Sequence, residues 1–242
     1  MSSQIRNQLV EALTALADPT VAVNRSRFFK SGPGEYGEGD KFRGLTVPQI
    51  RSIEKTYRKM VDLDSAVDLL ASEYHEDRLL ALLLMNYLFA RGDQEQKTKV
   101  YEAYLANTSW INNWDLVDSS ARFIIGPYIE SGDRSILYEL AESANLWERR
   151  IAVIATYHLI KQNDFADILR LAEILIDDRQ DLIQKAVGWM LREAGKQNLA
   201  VLIGFLDKYA EKMPRTMLRY SVEKLPDGLR TDYMGRGRRS HK

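Results

Sequence analysis

Cysteine is absent from all 242 residues, which excludes disulfides, thiolate-bound metals and a cysteine nucleophile. Histidine is scarce as well. His75, His158 and His241 are scattered, so a zinc site lacks ligands and neither a metal nor another cofactor is expected. Net charge is also missing: 34 Lys and Arg are matched by 34 Asp and Glu, so a polyanionic partner is neither favoured nor excluded by the total. No apolar run approaches the roughly 20 residues of a membrane span. The best candidate, RLLALLLMNYLFAR, is short and bounded by arginines. The opening MSSQIRNQLVEALTALADP is polar where a signal peptide needs an apolar stretch, so a cytoplasmic protein with no membrane partner is expected.

What is present is helical pattern. A hydrophobic content of 45% can supply a substantial core without staples. Apolar residues recur at helical spacing in short segments separated by polar breaks, and no stretch alternates convincingly as a strand. Helices are expected near 3–17, 20–31, 47–60, 64–72, 75–91, 94–106, 113–129, 133–143, 146–161, 164–176, 180–195, 198–209 and 214–224. Residues 1–225 read as one domain. Residues 226–242 read as a basic tail, either disordered or in contact with phosphate: from Lys212 to Lys242 there are nine Lys or Arg against three Asp or Glu.

Sliding the sequence against itself uncovers a repeat. DRLLALLLMNYL at 77, NWDLVDSSARFI at 113, RRIAVIATYHLI at 149 and QKAVGWMLREAG at 184 stack without gaps. The second residue of each, Arg78, Trp114, Arg150 and Lys185, is separated from the next by 36, 36 and 35 positions. Each unit follows another helix, so the repeating element is a helix pair. That is the signature of an all-α solenoid of HEAT-like (armadillo-like) repeats, whose second helices commonly line a concave face suited to a long partner. One turn after the reference column stand Leu82, Asp118, Ile154 and Trp189.

Residues 30–48 break the pattern with five glycines and two prolines. They contain a literal G-x-G-x-x-G (Gly32, Gly34, Gly37), but without a strand before it or a helix directly after it, and Glu35 and Glu38 would repel a pyrophosphate. A structural or substrate-edge loop is the better reading.

Within NNWDLVD, Asn112 or Asn113 caps a helix and Asp115 falls in its first turn, where a carboxylate suits the positive helix end. Asp118 lacks that explanation. It shares a register with Leu82 and Ile154, so it either pairs structurally with Arg150 or does chemistry. Trp114 and Trp189 read singly as interhelical packing, but they share Asp118's columns; Trp147 reads as core. Arg150 is the inward member of Arg149–Arg150, Arg192 lies on the side of Trp189, and His158 reads as a satisfied helical histidine.

NNWDLVDSS, WERR at 147–150 and QKAVGWMLRE at 184–193, in this order and spacing, resemble the AlkD-type DNA glycosylases of the DNA alkylation repair family. The resemblance runs from about Asn24 to Arg192. It implies an enzyme that releases cationic N3- and N7-alkylated purines from double-stranded DNA, leaving an abasic site, with the lesion kept largely in the duplex. Asp118 becomes the catalytic carboxylate, and Trp114 and Trp189 become aromatic contacts to the lesion. Phe28 stands where the family has a tyrosine. Arg150 and Arg192 become DNA-backbone contacts, with Lys185 in the same basic column. A monomer is expected. The alternative is a non-catalytic HEAT-like module that binds DNA structures or protein partners.

Overall fold

The computed structural model describes residues 2–236. The expected basic stretch at 237–242 lies outside the described residues. The chain divides into two compact units, Met1–Ile124 and Ile125–Lys242, where the sequence reading expects one domain.

The first unit contains α1 (Ser2–Ala15), α2 (Pro19–Phe28), α3 (Val47–Tyr57), α4 (Leu63–Leu70), α5 (His75–Arg91), α6 (Gln94–Ala106), a 3-10 turn (Thr108–Trp110) and α7 (Trp114–Asp118); it ends inside α8 (Ala121–Tyr128). Helix starts follow local chemistry. Asp18 accepts from the Thr20 and Val21 amides with Pro19 at the first position of α2, Thr46 and Gln49 form a capping box on α3, and Asp62 and Asp93 cap α4 and α6. Helix α5 is the axis of this unit. It packs against α3, α4 and α6, and every residue from His75 to Met85 is buried. Burial on all sides is why it shows no amphipathic stripe. Leu80, Ala81 and Leu82 on α5 meet a core that includes Leu9 and Leu13 of α1 and Leu69 and Leu70 of α4, all with no exposed surface. Each such leucine contributes about 1.5–3 kcal/mol.

The expected helix over 113–129 is broken at Ser119–Ser120. Ser120 Oγ donates to the Leu116 carbonyl at 2.6 Å and lies 2.9 Å from the buried Tyr104 hydroxyl, while the Ser119 carbonyl accepts from Asn86 Nδ2 at 2.8 Å. Side-chain and tertiary partners thus compete with the helical ladder. Asp118 is therefore the last residue of α7 and is half-buried, unlike Leu82 and Ile154, which have no exposed surface.

The second unit contains α9 (Ser135–Ala141), α10 (Leu146–Lys161), α11 (Ala166–Ile174), α12 (Asp181–Gln197), α13 (Leu199–Tyr209), α14 (Arg215–Ser221) and α15 (Asp227–Arg236). Within it α9 pairs with α10, α11 with α12, and α12 packs on both α10 and α14. The α12–α14 approach requires Gly188, where an added Cβ would sit 2.5 Å from the Met217 carbonyl oxygen. Helix α15 occupies part of what the sequence reading leaves as tail. Among the described residues, extended pairing is limited to an isolated bridge between Lys41 and Tyr74. No described helix is long and apolar enough to cross a membrane.

Candidate active site

The glycine-rich segment is fastened to the start of α5 by four consecutive buried charged residues, His75, Glu76, Asp77 and Arg78. Charges this deep are costly unless each finds partners, and each does. The Glu76 carboxylate accepts from the amides of Arg43, Gly44 and Leu45 at 2.9, 2.9 and 3.1 Å. Asp77 takes the Arg43 guanidinium with both oxygens, at 2.6 and 2.9 Å, and that guanidinium lies 4.0 Å over the Tyr74 ring. Arg78 pairs with Asp40 at 2.6 Å. Gly44 permits the turn: its φ is +89°, and a Cβ there would stand 2.0 Å from the Asp18 carbonyl oxygen. The G-x-G-x-x-G inside the segment holds no free phosphate cradle. Glu35 accepts from the Gly32 amide and Glu38 from the Gly34 amide, both at 2.9 Å.

His75 joins this segment to NNWDLVD. It donates from Nδ1 to Asp40 at 3.2 Å and from Nε2 to Asp115 at 2.9 Å, and Asn112 Nδ2 donates to Asp40 at 3.0 Å. Burial works against the imidazolium, but the charge and hydrogen bond of Asp115 and the hydrogen bond of Asp40 outweigh it and raise the pKa to about 9. Burial likewise opposes the Asp40 carboxylate. The His75 hydrogen bond, the Arg78 charge and the Asn112 hydrogen bond prevail and hold it below the usual carboxylate value. Asp115 thus does more than sit in a first turn. The cap itself is Asn113, whose Oδ1 accepts from the Trp114 amide at 2.9 Å.

Above the charges lies an aromatic cluster. Phe29, 3% exposed, stacks on Phe42 at 5.6 Å and contacts the His75 ring at 4.5 Å and the Trp114 ring at 5.5 Å. Phe28 stands edge-on to Phe29 at 5.0 Å and to Trp114 at 5.8 Å, yet remains 61% exposed. The structure therefore brings together Phe28 and Trp114, with Asp118 one helical turn along α7. Phe29, His75, Asp40 and Asp115 escape sequence reasoning as site-building residues, whereas Phe42 is readable from the sequence as an anchoring aromatic of the glycine-rich segment; the signal available for the rest was HEDR, four charges opening an otherwise leucine-rich helix.

The residues of the repeat column have different surroundings. Arg78 is 2% exposed and paired with Asp40, so it braces the glycine-rich segment. The register also slips, because Arg150 and Lys185 are the fifth residues of α10 and α12, Arg78 the fourth of α5, and Trp114 the first of α7. Arg150 is the inward arginine, as its register predicts. It is 5% exposed and its Nη1 donates to the Leu182 carbonyl at 2.6 Å, which joins α10 to α12. Arg149 pairs with Asp178 at 2.8 Å. Lys185 is half-buried and pairs with Asp181 at 2.6 Å. Trp189 is half-buried and donates from Nε1 to Glu193 at 3.2 Å, and Arg192 pairs with Glu223. Trp147 is core at 6% exposure, and His158 is satisfied by Glu130 at 2.9 Å.

The model of the DNA alkylation repair enzyme family matches residues 9–225. Among solved structures, a predicted DNA alkylation repair enzyme from Enterococcus faecalis is similar over 87% of this chain and 97% of its own, with a TM-score of 0.70 at 19% identity. That likeness is one of fold, and it agrees with an all-helical, α-solenoid-like chain built of helix pairs. No curated protein matches the chain. With most of its length matched to one family and its helices arranged as in that solved structure, the chain belongs to the DNA alkylation repair enzymes.

Proposed function

We propose that the protein is a glycosylase that hydrolyses the N-glycosidic bond of N3- and N7-alkylated purines in duplex DNA. The observation that carries this reading is the contact between exposed Phe28 and Trp114, one helical turn from the half-buried carboxylate of Asp118. An alkylated purine such as 3-methyladenine or 7-methylguanine already bears positive charge. When the bond from C1′ to the base nitrogen breaks, the electron pair leaves with the base and neutralises it, so no general acid is needed. Positive charge then develops on the deoxyribose. A fixed carboxylate at Asp118 stabilises that oxocarbenium-like sugar, orients water toward C1′ and accepts the proton the water releases.

Trp114 and Phe28 offer π faces and edges to the cationic nucleotide, each contact worth roughly 0.5–2 kcal/mol when desolvated. Trp189 is proposed as a further aromatic contact to the lesion, and Arg192 and Lys185 as backbone contacts. Arg150, with Nη1 committed to Leu182, has only a rim of its guanidinium to offer a phosphate. Selection rests on the lability of the cationic base, which an exposed aromatic wall serves well.

The test is release of 7-methylguanine from methylated duplex DNA by wild type and Asp118→Asn. Release should fall by about 100-fold or more in the variant while duplex affinity holds. Excision at the wild-type rate would remove Asp118 from the chemistry.

A further inference from the structure

The basic C-terminal stretch contributes to a cleft of about 520 Å³ in the second unit, between α14 and α15. Three arginines, Arg215, Arg219 and Arg230, line it over a floor that includes Val222, which is 1% exposed, and Met234. Arg215 and Arg219 are four apart on α14, so their Cβ atoms lie about 5–6 Å from each other on one face. Neither has a carboxylate within 4.0 Å among the described residues. Arg215 is oriented by a hydrogen bond from Nη1 to the Met234 carbonyl, which leaves its charge uncompensated. Arg230 pairs at 3.0 Å with Asp227, whose side chain is 90% exposed, a weak restraint. The lining carboxylate, Glu223, is shared with Arg192 and Lys224.

The three arginines are exposed, so solvent and salt screen their mutual repulsion, but no carboxylate offsets the charge of Arg215 or Arg219. The arrangement is favourable when an anion completes it, and forked guanidinium groups match phosphate oxygens. We infer that the α14–α15 cleft is a binding site for the phosphodiester backbone of duplex DNA, read by charge and not by sequence. The inference rests on duplex DNA being the partner. The cleft straddles the end of the family's matched span: Arg215 and Arg219 lie within residues 9–225, and α15 with Arg230 begins beyond them.

The test is fluorescence anisotropy of the full chain with an unmodified, lesion-free duplex across a salt series. Wild type should bind, and R215A/R219A should lower the slope of log affinity against log salt by about 2, near one unit per lost phosphate contact. R215K/R219K keeps both charges and should retain most of the slope, which separates charge from damage to the fold. An unchanged slope in the alanine pair, an equal loss in the lysine pair, or no duplex affinity in wild type would each overturn the inference. So would binding of inorganic phosphate that depends on these arginines while the duplex slope does not, since the cleft would then serve free phosphate. Because the duplex carries no lesion, failure of Asp118→Asn to reduce base release would count against the glycosylase reading and leave this result standing.

Discussion

His75 ties together two half-buried carboxylates, Asp40 and Asp115, and its loss takes a charged hydrogen bond from each. His75→Asn leaves Asp115 facing a neutral amide while Asp40 keeps Arg78 and Asn112, so the change should cost about 1–3 kcal/mol. Urea unfolding should report that loss; a variant as stable as wild type would mean the ring is a spacer. Phe28 is the opposite case. With 61% of its surface exposed, Phe28→Ala should change stability by no more than about 0.5 kcal/mol. If it touches the lesion, the same change should lower kcat/KM for base release by about 2- to 30-fold. Unaltered kcat/KM with intact folding would assign Phe28 to the surface alone.

Among the elements, the glycine-rich segment depends on Gly44 more than on its other glycines. Gly44→Ala forces a Cβ against the Asp18 carbonyl at positive φ, and should destabilise by more than about 2 kcal/mol and slow base release with it. Thermal unfolding and the release assay measure the two effects; a neutral substitution would show that the turn relaxes cheaply. The sequence carries much of the architecture in local signals. The spans 75–91, 94–106 and 146–161 emerge with the same ends in periodicity and in structure, because polar breaks and capping residues bound them. The helix over 113–129 was not legible as two pieces, because its break depends on Tyr104 and Asn86, which belong to other helices. Helix α15 was hidden by a polar composition with Tyr233 as its buried residue. For the site, Trp114 and Asp118 stand out from repeat arithmetic and Phe28 from family resemblance. The His75 network does not, since its partners lie 35 and 40 residues away.

For the whole molecule, 34 positive and 34 negative charges cancel at pH 7, so near neutrality the pH dependence of stability falls on particular groups with shifted pKa values. Below pH 6.5 His75 is protonated both folded and unfolded, and its pairing contributes fully. Between 6.5 and about 9 only the folded protein keeps the proton, so stability falls as pH rises; above about 9 the contribution is gone. The network lies entirely in the first unit. Amide exchange, corrected for its intrinsic pH dependence, should therefore accelerate between pH 6.5 and 9.5 in residues 2–124 and not in the second unit; equal acceleration in both would show that they open together. The way Glu76 grips three amides 31 to 33 residues upstream also sets an order of assembly. Helices close locally and fast, whereas a loop of that length must be brought back against its entropy before any of those bonds forms. During refolding, helical circular dichroism should recover before base-release activity does, because the helices can all be present while the aromatic wall still waits for its latch.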